Sequence, residues 1–119
     1  MTGFAKAMRA FFSSFGLPAY PDGSVPDSAK MPYITYSLTE PDWRSTAAGQ
    51  ARLWYHSRSY EPINAKIDEI AERVGEGLRF SHSGGFLWIG KGETFAQHMP
   101  LSNDTKTAYL SFEIQSFFR

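Results

Sequence analysis

The stretch Gly84 to Arg119, GGFLWIGKGETFAQHMPLSNDTKTAYLSFEIQSFFR, decides the fold. From Thr107 to Phe117 apolar and polar residues alternate, with Ala108, Leu110, Phe112 and Ile114 on one face, the period of a half-buried strand. Phe86 to Ile89 reads as a shorter strand, joined to Leu78 to Ser81 by a hairpin at Ser83, Gly84 and Gly85, where glycine supplies positive φ. Gly90, Lys91 and Gly92 are expected to break the run. Phe95 to Met99 then forms another extended piece and Pro100 to Lys106 a polar turn. The closing third is thus a β meander.

Immediately before it lies the clearest helix of the chain. Ile63, Ile67, Ile70, Ala71 and Val74 form one apolar stripe, opposite Asn64, Lys66, Asp68, Glu69, Glu72 and Arg73. Ser59 is the expected N-cap, Glu61 and Pro62 suit the first turn, and Gly75 and Gly77 end the helix. Glu69 and Arg73 are spaced for an i,i+4 ion pair, worth roughly 0.2 to 0.5 kcal/mol.

Upstream, Gln50 to Arg58 alternates, setting Arg52, Trp54, His56 and Arg58 against Ala51, Leu53, Tyr55 and Ser57. Trp43 to Gly49 reads as irregular, and Tyr33 to Leu38, opened by Pro32, as a strand. Tyr20 to Met31, rich in Pro, Gly, Asp and Ser, is a long loop and a candidate contact arm carrying Tyr20, Asp22 and Lys30. Thr2 to Phe15 is an amphipathic helix presenting Phe4, Met8, Phe11, Phe12 and Phe15, with Gly16 and Pro18 as its stop. The expected class is α+β: a mixed, mainly antiparallel sheet flanked by two helices, in the order α-β-β-α-β-β-β and one domain spanning residues 1–119.

At 119 residues and 42% hydrophobic content, such a domain can bury a core unaided, and the absence of cysteine frees its folding from the redox compartment. Twelve basic and twelve acidic residues cancel, so no global footprint for nucleic acid or anionic membrane is present. Neither a signal peptide nor a bilayer-spanning run is read. Aromatic residues make up 16% of the chain, more than so small a domain easily hides, so some are expected to face partners.

Catalytic signatures are missing from the sequence. His56, His82 and His98 are scattered without metal-ligand spacing, the glycine pairs match no phosphate-binding loop, and no G-x-S-x-G elbow occurs. The expectation is a protein that is not an enzyme and uses no cofactor or metal. The informative group is Trp43, Arg44, Arg52, Trp54, His56 and Arg58, because cations interleaved with aromatics on a strand face can bind a protein or nucleic acid. A solvated sheet face is the plainer alternative.

Gly85, Leu87, Trp88, Ile89, Lys91, Gly92, Phe95, Ala96, Gln97 and Met99 form a G-x-L-W-I-x-K-G-x-x-F-A-Q-x-M stretch. With Asp104, Tyr109, Ile114 and Phe117, the Leu53-Trp54-Tyr55 strand and the early Pro32-Tyr33-Ile34, it resembles a family of proteins of long-tailed bacteriophages, often labelled minor capsid or tail terminator proteins. His98 and Pro100 depart from the residues usual in that group, which bears on partner contacts more than on the fold.

The resemblance implies a protein that assembles with itself as a ring, commonly a hexamer, capping the tail tube and offering a surface to a head-completion or connector protein. Its place would be the head-proximal end of the virion tail, with assembly in the host bacterial cytoplasm, transient passage of DNA through the lumen and no membrane. Another head-tail ring component, such as a head-closure or tail tube protein, is the nearest alternative. A small nucleic-acid-binding module using the Arg52, Trp54 and Arg58 face comes next.

Overall fold

The apolar face of each strand and the apolar stripe of each helix need a shared interior, and one sheet with both helices provides it. The structure, a computed structural model, describes residues 2–38, 46–82 and 85–118. In order, the elements are α1 (Thr2–Ser13), β1 (Ala19–Pro21), β2 (Tyr33–Leu38), β3 (Thr46–His56), α2 (Glu61–Val74), β4 (Leu78–His82), β5 (Gly85–Ser102) and β6 (Thr105–Phe118). The strands form a single sheet, β1-β2-β3-β6-β5-β4, in which only β1 and β2 run parallel. The chain is α+β, with a mainly antiparallel sheet, as expected.

Several local expectations are corrected. Gly90 to Gly92 do not break a strand: β5 runs from Gly85 through Ser102, and the glycines sit beside a register shift between Lys91 and Ala96. There, residues 92–95 of β5 oppose only Ser111 of β6, a large bulge. A Cβ on Gly92 would lie 2.9 Å from the Ser111 Cβ, so glycine here serves close strand approach. The polar turn shrinks to Asn103 and Asp104, because Pro100 and Ser102 still pair with Lys106 and Thr105. And β3 begins at Thr46, well before Gln50, since Ala47, Ala48 and Gly49 pair with Ile114, Glu113 and Phe112 of β6. The loop after α1 also opens with a short strand, β1, added to the expected order.

Helix ends follow local chemistry with one shift. Tyr60 takes the N-cap position of α2 without a side-chain bond, while the Ser59 hydroxyl, one residue earlier, accepts from the Glu61 N–H at 3.3 Å. The expected Glu69–Arg73 pair is absent. Glu69 instead meets Lys66 at 3.0 Å, and Arg73 donates to the Ser14 carbonyl and covers the Phe15 ring. Both cations therefore tie α2 to the end of α1, because Lys66 also donates to the Phe15 carbonyl at 2.8 Å.

Aromatic packing dominates the interior. Phe11 contacts Phe12, Phe15, Phe80 and Phe112 edge-on at 5.1 to 5.9 Å, and Phe12 stacks on Tyr36 at 4.9 Å. Met8 from α1, Ile63, Ile70 and Val74 from α2, and Leu53, Leu87, Ile89 and Leu110 from the sheet close the cluster. Much of the aromatic surplus is therefore core material, each buried Phe contributing roughly 1.5 to 3 kcal/mol by its removal from water.

Candidate functional site

Alternation places a different set of side chains on the other face of these strands. On β2, Ile34 and Tyr36 are buried against the helices, while Tyr33 and Ser37 point away and remain partly or fully exposed. On β3 the same split sets buried Ala51 and Leu53 against Gln50, Arg52 and Trp54; on β6 it sets Leu110 and Phe112 against Tyr109 and Ser111. No described helix covers this second face.

Register assembles its centre. Thr35 pairs with Arg52, Arg52 with Tyr109 and Tyr109 with Gln97, so one row crosses β2, β3, β6 and β5. A neighbouring row joins Tyr33, Trp54, Thr107 and Met99. The Arg52 guanidinium lies 4.1 Å from the Trp54 ring centre and 4.8 Å from that of Tyr109, an arrangement that favours a cation stripped of water. Trp54 stacks on Tyr33 at 5.8 Å, and Tyr33 meets Tyr20 edge-on at 5.8 Å.

Hydrogen bonds hold this group in one geometry. The Trp54 indole donates to the Thr35 hydroxyl at 3.0 Å, and Arg52 Nη2 donates to the Thr107 hydroxyl at 3.1 Å. Thr107 in turn donates to the Met99 carbonyl, so two buried threonines fix a cation and an indole. Arg52 Nε is buried with no partner, and no described carboxylate forms an ion pair with this side chain. Beside it opens a concavity of about 100 Å³ whose wall includes Asp22, Thr35, Gln50 and Tyr109. A second of about 350 Å³ adjoins it across Gln50 and Tyr109 and reaches Gln97.

The expected site residues therefore divide. Tyr20, Asp22, Arg52 and Trp54 come together, whereas Lys30 is exposed in the loop and lines neither concavity. His56 closes β3 and Arg58 follows it, both exposed, beside the Asn103–Asp104 turn. There the Ser102 hydroxyl, the Asp104 backbone N–H and then His56 and Arg58 hold the Asp104 carboxyl below its ordinary value. Trp43 and Arg44 lie outside the described residues, as do Ser83 and Gly84 of the expected hairpin.

Sequence reasoning missed Tyr109, Thr35, Thr107 and Gln97. Alternation along β6 places Tyr109 opposite Leu110, but only register across β3 sets it beside Arg52. His98 also gains a role, its Nε2 lying 2.6 Å from Asn64 Oδ1 and its ring 4.3 Å from that of Tyr60, which docks β5 on the start of α2. Among the described residues no three His, Cys, Asp or Glu side chains gather as metal ligands, and no helix is long and apolar enough to cross a membrane.

No family model matches the chain, and no curated protein matches its sequence. Among solved structures it is similar to a chain of the "Virion of native gene transfer agent (GTA) particle", with a TM-score of 0.60 and 12% identity over 95% of this chain and 90% of that one. At that identity the likeness is one of fold, and it takes in nearly the whole of both chains.

Proposed function

We propose that this protein is a structural subunit of a phage or prophage particle, and within it the ring protein that caps the tail tube and joins tail to head. The observation that carries the reading is the end-to-end likeness in fold to a chain of a phage-like virion. Three features support the finer assignment. Alternating Tyr, Trp and Arg on an uncovered sheet face are the residue types that dominate protein interfaces. A formal net charge of zero leaves no long-range repulsion between copies and no strong grip on DNA passing through a lumen. The resemblance of Gly85 to Met99 and the residues after it to tail terminator proteins points to the same component.

On this reading the protein does no chemistry. Its partners are copies of itself, the tail tube protein and a head-completion or connector protein, and it sits at the head-proximal end of the tail. Electron microscopy of the purified protein, alone and added to tail tubes that lack their cap, tests the assignment. Rings, and tubes capped at a uniform length, are expected. A protein that stays monomeric and leaves tube length unchanged overturns it, and long helical polymers would transfer the assignment to the tail tube protein.

A further inference from the structure

We propose that the Arg52 concavity receives a carboxylate from the exposed stripe of α2 on a second copy of this chain, so that these two surfaces form the contact between subunits. The inference rests on the ring reading and names its interface. Arg52 is a cation held between two aromatic rings, with a buried Nε that has no partner and no carboxylate paired to it. The guanidinium has lost water at Nε without a described counter-charge, and an acidic side chain is the group that best restores the loss. Asp22 stands on the wall of the concavity yet makes no ion pair, so no described carboxylate of the chain satisfies Arg52 from within.

The matching surface is on the same molecule. Glu61, Asp68 and Glu72 are exposed at spacings of one helical face, and Asp68 and Glu72 border a shallow depression shared with Ala65, Glu69 and Arg73. Among the described residues the only ion pair is Lys66 with Glu69, and Arg73 turns away toward Ser14 and Phe15. Arg73 also lines that depression, yet Asp68 and Glu72 form no ion pair among the described residues and so remain available to a partner.

Position decides what such a contact builds. The acidic stripe lies on the outer side of α2, which packs on the helix-bearing face of the sheet, while Arg52 belongs to the opposite face. The body is 20 Å across in its thinnest direction, so one subunit can present both surfaces on opposite sides. Because the two patches lie on opposite faces, they cannot meet reciprocally across a two-fold axis; the contact is heterologous and continues to a ring or a filament.

Charge-swapped variants test this directly. Arg52→Glu alone and Asp68→Arg/Glu72→Arg alone should each weaken assembly about tenfold or more, measured by mass photometry, with near-ultraviolet circular dichroism confirming the fold. An equal mixture of the two should assemble again, because every contact in an alternating ring then pairs opposite charges. Arg52→Gln provides the same loss should Arg52→Glu fail to fold. Variants that assemble like the unaltered protein, or a mixture of folded variants that stays monomeric, overturn the proposed interface while the ring reading stands. An unaltered protein that never assembles, alone or on tail tubes, overturns both. Binding of a single-stranded oligonucleotide that Arg52→Glu abolishes, with assembly unchanged, overturns it in favour of a nucleic-acid surface.

Discussion

The two faces of the sheet are written by the same strands, residue by residue, yet they solve different problems. Toward the helices, Leu53, Leu110, Ile114 and the Phe11–Phe112 cluster remove apolar area from water and need no polar partner. On the far face, Trp54, Tyr33 and Tyr109 remain part-exposed, and beside the Trp54–Tyr33–Tyr20 ring contacts the fixed contacts are polar: indole to hydroxyl, guanidinium to ring, hydroxyl to carbonyl. The first face would stabilise any similar sheet. The second holds a cation in a set geometry, at a cost that burial alone does not offset, which is what a recognition surface requires.

The largest separation between the faces should come from truncating their central aromatics. Phe11→Ala is expected to cost about 3 to 5 kcal/mol in urea unfolding, because four ring contacts are lost and a cavity remains. Trp54→Ala should cost well under half of that and yet abolish assembly; equal destabilisation by both would erase the distinction between core and interface. Next, Gly92→Ala is expected to cost about 1 to 3 kcal/mol, since the new methyl meets Ser111 across the bulge where both faces shift register. An unchanged midpoint would mean that the bulge relaxes freely. Trp54→Phe should lose about 1 kcal/mol, leaving the buried Thr35 hydroxyl without its indole donor, and a thermal melt resolves this from the wild type.

The smallest effect is a pH dependence at the rim of the open face. The Asp104 carboxyl is held below its ordinary value of 3.8, first by the Ser102 hydroxyl, then by the Asp104 backbone N–H and by His56 and Arg58. A lowered folded-state value means that the ionised form favours folding. That stabilisation is complete above the unfolded value and is lost as pH falls through the lowered folded value. Asp104→Asn should therefore flatten the acid limb of a stability profile slightly and leave neutral-pH assembly unchanged. A steeper acid limb in the variant contradicts the sign.

Some of this architecture was legible in the residues. The Ile63, Ile70 and Val74 stripe placed α2, because a helix reveals its buried side through a local period of 3.6. Alternation along β3 separated Leu53 from Arg52 and Trp54 for the same reason, and the aromatic and basic character of the outward set was visible before any pairing was known. The Gly90-Lys91-Gly92 run misled, because local turn chemistry looks the same whether or not a neighbouring strand continues the ladder; here β6 does continue it, past a bulge. Likewise the small-residue run Ala47-Ala48-Gly49 has weak strand propensity by itself and is extended because β6 pairs with it.

What the sequence by itself determined is therefore the inventory of each face: periodicity is a local property, and it assigns a side chain to core or surface without reference to distant chain. Only the tertiary structure decided which residues of those inventories meet. Inserting β6 between β3 and β5, strands distant in sequence, brings Tyr109 and Thr107 onto Arg52, and cross-strand register follows from the summed packing of the whole sheet. The helices took one face in the same step, leaving Arg52 on the other with no ion pair to a described carboxylate.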